Sequence, residues 1–128
     1  TYFDGKFVDD AEAKVSVRTR AINYGLGCFG GIRGYLADDG SQLHVFRLAD
    51  HMARLQHSAR VLFLGLPVDH ATLCALVPEL LRETELLEPE MNVLSSEATS
   101  VACACWIWMT AIWVEGSACT SSFSMRFW

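Results

Sequence analysis

Basic residues are scarce in this chain of 128 residues, where ten lysines and arginines stand against fifteen aspartates and glutamates and give a formal net charge of −5. Binding to nucleic-acid phosphates requires clustered lysines and arginines, and the sequence contains no such cluster. A long apolar run is also lacking. The longest uncharged stretch, residues 98–114, is shorter than the roughly 20 apolar residues that a bilayer demands and contains Thr99, Ser100 and Thr110. The sequence therefore predicts neither a nucleic-acid partner nor a membrane span.

Regularly spaced cysteines are absent as well. The five cysteines are an odd number without a repeating interval, and no charged-then-apolar signal precedes the first predicted strand, so we expect a protein of the reducing cytoplasm. Cys103, Cys105 and Cys119 have no nearby histidine and no second close pair, which zinc-binding sequences usually have. We therefore predict no metal site.

Apolar residues make up 52% of the chain and charged residues 20%, which is enough for one hydrophobic core. The composition changes near residue 90, because residues 91–128 carry only Glu97, Glu115 and Arg126 as charges and hold all four tryptophans. We therefore expect two parts, a compact domain over residues 1–90 and a divergent apolar segment over residues 91–128 that packs poorly or exposes its tryptophans.

The first part carries strand and turn signals. The dipeptide Asp4-Gly5 suits a tight hairpin turn, because both turn positions need a positive φ. A second hairpin is predicted from residues 31–36 and 42–46 around an Asp-Asp-Gly turn, and residues 14–17 alternate in the manner of a strand. These signals predict four or five antiparallel strands.

Two helices are predicted next. Apolar residues at intervals of three and four indicate an amphipathic helix over about residues 48–63, and Asp69 suits the N-cap of a second helix. Pro78 falls inside this second helix, where a proline costs roughly 3 kcal/mol, so we expect a kink or break there. Strands followed by helices in blocks predict an α+β fold with a small antiparallel sheet and two helices.

Residues 25–30 read Gly-Leu-Gly-Cys-Phe-Gly and match the letters of the dinucleotide-binding pattern G-x-G-x-x-G. That pattern requires a following helix whose N-terminus receives the pyrophosphate, whereas a strand-like segment follows here. A turn that glycine permits, or a close approach of the backbone to a ligand, is the simpler interpretation.

Six segments of the first part form one ordered pattern. They read YFDGKFV, AKVSV, NYGLGCFGGIRGY, VFRL, DHMARL and SA, at residues 2–8, 13–17, 23–35, 45–48, 50–55 and 58–59. This pattern resembles the N-terminal part of fold-type IV (class IV) pyridoxal-phosphate aminotransferases, and most closely the branched-chain amino acid aminotransferases. The resemblance extends over residues 2–87. It implies that residues 1–90 form the small α+β domain of such a protein and that residues 91–128 are a divergent start of its large domain.

The resemblance implies roles for five residues. Arg54 matches the arginine that binds the phosphate of pyridoxal 5'-phosphate, and a guanidinium fork suits a phosphate dianion. Tyr24 and Phe29 match aromatic residues that line the substrate side-chain pocket, and Gly31 and Arg33 match positions flanking that pocket. Without the resemblance, Arg54 and Arg33 are interpreted as solvated arginines and the aromatic residues as ordinary core.

The sequence also departs from the family. Gly30 stands where the family usually has a glutamate, and a tyrosine-isoleucine-arginine-proline segment expected near residues 90–94 is absent. Lys6 and Lys14 are the only lysines, and neither matches the family's lysine, which binds the cofactor aldehyde and lies in the large domain. The resemblance therefore implies no catalytic residue within this chain.

Several functions remain open at this point. The resemblance implies a partial branched-chain amino acid aminotransferase, whose full-length form is a homodimer and transfers an amino group between leucine, isoleucine or valine and 2-oxoglutarate. Its partners would be small amino acids and 2-oxo acids. A non-catalytic binding or interaction module is the first alternative. D-amino acid aminotransferase and aminodeoxychorismate lyase activities are the second, because one fold supports several reactions.

Overall fold

The computed structural model of the chain describes residues 1–83 in full and residues 92–96, 103–113 and 121–127 through their backbone. Within these ranges the elements follow one another as β1 (Tyr2–Phe3), β2 (Lys6–Phe7), α1 (Arg20–Tyr24), β3 (Gly27–Leu36), β4 (Gln42–Phe46), α2 (Leu48–Val61), α3 (His70–Glu83), β5 (Asn92–Ser96), β6 (Cys103–Trp113) and β7 (Ser121–Phe127). The predicted α+β class is confirmed. None of the helices in the described ranges is both long and apolar enough to cross a bilayer.

The strands form one sheet in the order β2-β1-β7-β6-β3-β4-β5. All neighbours run antiparallel except β4 and β5, which are parallel and are joined through α2 and α3. Strand β6 pairs with β3 from Cys103 opposite Leu36 to Ile112 opposite Gly27, and β7 pairs with β1. The sheet is thus continuous across residue 90. The division into two domains at that residue stays a prediction, and the expected exposure of the tryptophans concerns side chains outside those described.

Both predicted hairpins form. Asp4 and Gly5 have φ angles of 51° and 87°, so both positions of the turn between β1 and β2 are left-handed, as a type I′ turn requires. Strands β3 and β4 pair from Gly34 opposite Val45 to Leu36 opposite Leu43, and Gly40 in the turn between them has a φ of 72°.

Three local predictions differ from the structure. The strand predicted over residues 14–17 is wrong: this segment is a loop whose four side chains are exposed, because no described strand lies beside it. The glycine-rich segment is only partly a turn, since Gly25 is left-handed and β3 already begins at Gly27. The short helix α1, which precedes this turn, was not predicted.

The hydrophobic core lies between one face of the sheet and helices α2 and α3. Ile32 and Val45 are fully buried on the sheet side. The helices contribute the buried residues Leu48, Met52, Leu55, Ala59, Leu73, Leu76, Val77, Leu80 and Leu81. Each fully buried aliphatic side chain contributes roughly 1.5–3 kcal/mol, so this face sets the position of both helices.

Helix α3 begins as the sequence predicts. Asp69 precedes it, and the backbone N–H of Thr72 donates to the Asp69 carboxylate at 2.8 Å. Hydrogen bonds from the Thr72 backbone and side chain lower the pKa of Asp69. The prediction was a kink or a break at Pro78. A break does not occur, because α3 continues through this residue, and the kink stays a prediction. The buried residues on both sides of Pro78 hold the helix against the core and compensate for the missing N–H.

Helix α2 ends in a left-handed turn that places a phenyl ring in solvent. The N–H of Leu64 donates to the carbonyl of Ala59 at 2.9 Å, and the N–H of Phe63 donates to the carbonyl of Arg60 at 3.0 Å. This is the hydrogen-bond pattern of a Schellman motif, whose left-handed position glycine usually occupies. Here Phe63 occupies it, with a φ of 56° and 89% exposure.

We expect Phe63→Gly to raise the free energy of unfolding by about 0.5–1 kcal/mol, because the relief of left-handed strain exceeds the added freedom of the unfolded chain. Urea denaturation measures this difference. The matched control is Phe63→Ala, which removes the same exposed ring but keeps a Cβ in the left-handed conformation and should give no such gain. Equal stabilities of the two variants would contradict the explanation.

Candidate functional site

Strand β3 presents two different faces. Ile32 is fully buried and Cys28 packs against the core, so the even-numbered residues face α2 and α3. Side chains alternate along a strand, which places Phe29, Gly31 and Arg33 together on the opposite face. Phe29 is 67% exposed and Arg33 is also exposed. The structure thus brings three of the five predicted site residues onto one surface.

Tyr24 lies in the element that precedes this strand. It ends α1 and is 76% exposed. Gly25 follows with a φ of 65° and donates its N–H to the carbonyl of Arg20, which ends the helix and directs the chain into β3. Tyr24 and Phe29 are therefore exposed aromatic side chains, and the interpretation of both as ordinary core is wrong.

Arg54 belongs to a different element from these four residues. It is exposed on α2, and α2 packs through Met52 and Leu55 against the helix-facing side of β3. Its Nη2 is 3.4 Å from Nδ1 of His51, one helical turn earlier. Among the described residues no carboxylate pairs with the Arg54 guanidinium, because Asp50 pairs with another arginine.

That other arginine is Arg47, which begins the same face of α2. Its Nε donates to the Asp50 carboxylate at 2.7 Å, and its backbone φ of 46° is left-handed. Partial burial, and after it the positive charges of Arg54 and Arg47, lower the pKa of His51 against the opposing effect of Asp50. These effects favour the neutral imidazole, so Arg54 carries the positive charge of this pair.

His51 and Arg47 were not among the predicted site residues. Positions 51 and 54 lie three residues apart within the predicted helix, and position 47 lies one residue before it at a spacing of four from position 51. This spacing is the signal that would have identified them.

Two cysteines, Cys28 and Cys74, pack against the described core. Burial raises the pKa of the Cys28 and Cys74 thiols, so both stay protonated at neutral pH. Cys74 Sγ lies 3.7 Å from Nε2 of His70 on α3. The candidate chemistry therefore belongs to the arginines and the exposed aromatic residues.

Comparison with known proteins gives a consistent result. No protein-family model matches the chain. It is 37% identical over 87 residues to a protein of Aquifex aeolicus named "Probable branched-chain-amino-acid aminotransferase", which covers 68% of this chain and 28% of that protein. Among solved structures, the branched-chain aminotransferase of Thermoproteus uzoniensis with norvaline has a TM-score of 0.76 at 30% identity, over 99% of this chain and 39% of that one.

A second solved structure has the same fold. The branched-chain amino acid aminotransferase of Escherichia coli has a TM-score of 0.77 at 22% identity, over 98% of this chain and 38% of that one. The chain thus spans less than a third of the Aquifex relative and about two fifths of the two solved structures. It is a relative of the branched-chain-amino-acid aminotransferases and corresponds to an N-terminal part of these longer proteins.

Proposed function

We propose that this chain is the phosphate-binding and substrate-facing part of a branched-chain amino acid aminotransferase. In its longer form such a protein transfers an amino group between leucine, isoleucine or valine and 2-oxoglutarate. The observation that carries the proposal is the exposed side chain of Arg54, which has no carboxylate partner among the described residues and which, by resemblance, matches the family's phosphate arginine. The names of the relatives support the reaction class.

The residues present fit the phosphate end of pyridoxal 5'-phosphate. An exposed guanidinium without a carboxylate partner can donate two parallel hydrogen bonds to phosphate oxygens. Lys6 and Lys14 are both exposed and lie on the edge strand β2 and in the loop after it, so neither is held in an enclosed site. When bound, the cofactor would supply an aldehyde that accepts the amino group from the substrate, and this chain would contribute the contact to its phosphate.

The surface around β3 supports the substrate half of the proposal. Tyr24 and Phe29 offer exposed aromatic faces that suit the aliphatic side chain of a branched amino acid. Gly31 has no side chain, so the surface between Phe29 and Arg33 is open to a ligand. Arg33 carries a positive charge that suits a carboxylate. We include in the proposal that the longer protein is a cytoplasmic homodimer.

The proposal is tested by titration with pyridoxamine 5'-phosphate, which has no aldehyde and cannot react with lysines, and with pyridoxamine, which has no phosphate. Arg54→Ala should weaken binding of the phosphate compound by roughly 1.5–3 kcal/mol, or about 10- to 150-fold. Its effect on pyridoxamine should be small, because Arg54 contacts only the phosphate.

Arg60→Ala is the matched control, since Arg60 is an exposed arginine in the last turn of the same helix. It changes the net charge equally and should leave both affinities near those of the unmodified chain. An equal loss in the two variants would assign the effect to overall charge, and an unchanged affinity in Arg54→Ala would remove the phosphate contact from the proposal.

A further inference from the structure

A second feature of the surface is a groove beside Tyr24. Its volume is about 610 Å³, and its described lining consists of Val17, Arg18, Arg20, Asn23 and Tyr24. Ligand pockets in proteins commonly measure about 300–1,000 Å³, so the groove has room for a small organic molecule. None of the five residues belongs to the hydrophobic core.

The local backbone fixes the shape of the groove. The side-chain amide of Asn23 donates to the carbonyl of Val17 at 3.2 Å and to the carbonyl of Thr19 at 3.0 Å. Thr19 is fully buried, whereas Val17 on the same loop is 79% exposed. The loop before α1 is therefore anchored at Thr19, and Val17 and Arg18 project from an anchored backbone.

The described lining of the groove contains two arginines, although the chain is acidic overall. Arg18 and Arg20 are both exposed, and no acidic residue is among the described residues of the lining. Within the described ranges no carboxylate pairs with the Arg18 guanidinium. An arginine without a carboxylate partner can donate two parallel hydrogen bonds to the carboxylate of a ligand.

Two of the other described lining residues offer exposed apolar surface. Val17 and the ring of Tyr24, which is 76% exposed, supply carbon surface beside the two arginines. A bare inorganic anion would leave this surface in water, whereas an acid with a carbon chain would cover it.

We propose that this groove binds a small organic acid, with Arg18 as a residue that determines specificity for its carboxylate. The carboxylate accepts hydrogen bonds from Arg18, and the carbon chain lies on Val17 and Tyr24. The inference rests on the proposed function in one respect, because Tyr24 also belongs to the proposed substrate surface.

Calorimetric titration of the whole chain with glutarate, with its neutral diamide and with inorganic phosphate tests this proposal. Glutarate should bind at least about ten times more tightly than the diamide or phosphate, because only glutarate combines charge with a carbon chain. Arg18→Gln should weaken glutarate binding roughly 10- to 100-fold. Val17→Asp, which adds a negative charge to the lining, should weaken it as well.

Arg82→Gln is the control, because Arg82 is an exposed arginine in the last turn of α3, outside the groove lining. It should bind glutarate as the unmodified chain does. Undiminished glutarate binding in Arg18→Gln would overturn the proposal, and so would phosphate binding as tight as that of glutarate. The preference for pyridoxamine 5'-phosphate over pyridoxamine depends on Arg54 and should survive Arg18→Gln, so failure here is distinguishable from failure of the proposed function.

Discussion

A chain that ends at residue 90 is expected to lose the cooperative unfolding transition of the whole chain. Strands β6 and β7 lie between β1 and β3, so this truncation separates the β1–β2 hairpin from the rest of the sheet. It also leaves all ten residues of β3 without their β6 neighbours. Each backbone hydrogen bond contributes about 0.5–1.5 kcal/mol, and a whole domain is stable by only about 5–15 kcal/mol.

Circular dichroism during thermal unfolding measures the loss of the transition. Two proline variants of the whole chain test whether this loss comes from the missing strand pairing rather than from the shortened chain. Ile107→Pro removes a backbone donor from β6, which has a neighbour on each side, and should abolish the transition. Val93→Pro does the same in β5, which lies at the edge of the sheet, and should cost less. A sharp transition in the 1–90 chain would restore the division into two independent parts.

The sheet shows which structural features can be predicted from local sequence and which cannot. The Asp4-Gly5 turn was predictable because it depends on two adjacent residues that tolerate a positive φ. The helices were predictable because their buried faces repeat at intervals of three and four residues. The insertion of β6 and β7 between β1 and β3 depends on pairing between distant segments, and no periodicity within a segment specifies which strand becomes its neighbour.

The incorrect prediction of a strand at residues 14–17 also arises because strand pairing cannot be predicted from a single segment. Its alternation of side chains is compatible with a strand, yet a strand also needs a neighbour, and the described sheet offers none there. The parallel pairing of β4 with β5 was equally hidden, because it requires α2 and α3 to carry the chain back across the sheet.

The candidate site was predictable only in part. The roles proposed for Arg54, Tyr24 and Phe29 came from the resemblance, since composition and spacing alone favoured a solvated arginine and buried aromatic residues. The exposure of Tyr24 and Phe29 depends on the fold around them, and local sequence patterns do not predict it. The groove at Arg18 likewise depends on the Asn23 hydrogen bonds that shape the loop.

The chain by itself is expected to show no transamination above background. The reaction requires a positioned amine that holds the cofactor aldehyde and a base that moves the proton at the α-carbon of the substrate, and base catalysis alone is worth roughly 10²- to 10⁴-fold in rate. Lys6 and Lys14 are the only lysines of the chain that could provide this amine. Both are exposed, one on an edge strand and the other in a loop.

The measurement is turnover of leucine with 2-oxoglutarate in the presence of pyridoxal 5'-phosphate, compared with the same mixture without protein. The double variant Lys6→Arg and Lys14→Arg keeps both charges, and its rate should equal that of the unmodified chain. Borohydride reduction followed by peptide mapping should find neither lysine labelled stoichiometrically, because an exposed lysine binds the aldehyde only weakly. Stoichiometric labelling of one lysine, together with turnover that is lost on its replacement, would place the catalytic amine within this chain. In that case Arg54 and the lysine would have to approach one ligand, and the proposed division of the site between this chain and the rest of a longer protein would be wrong.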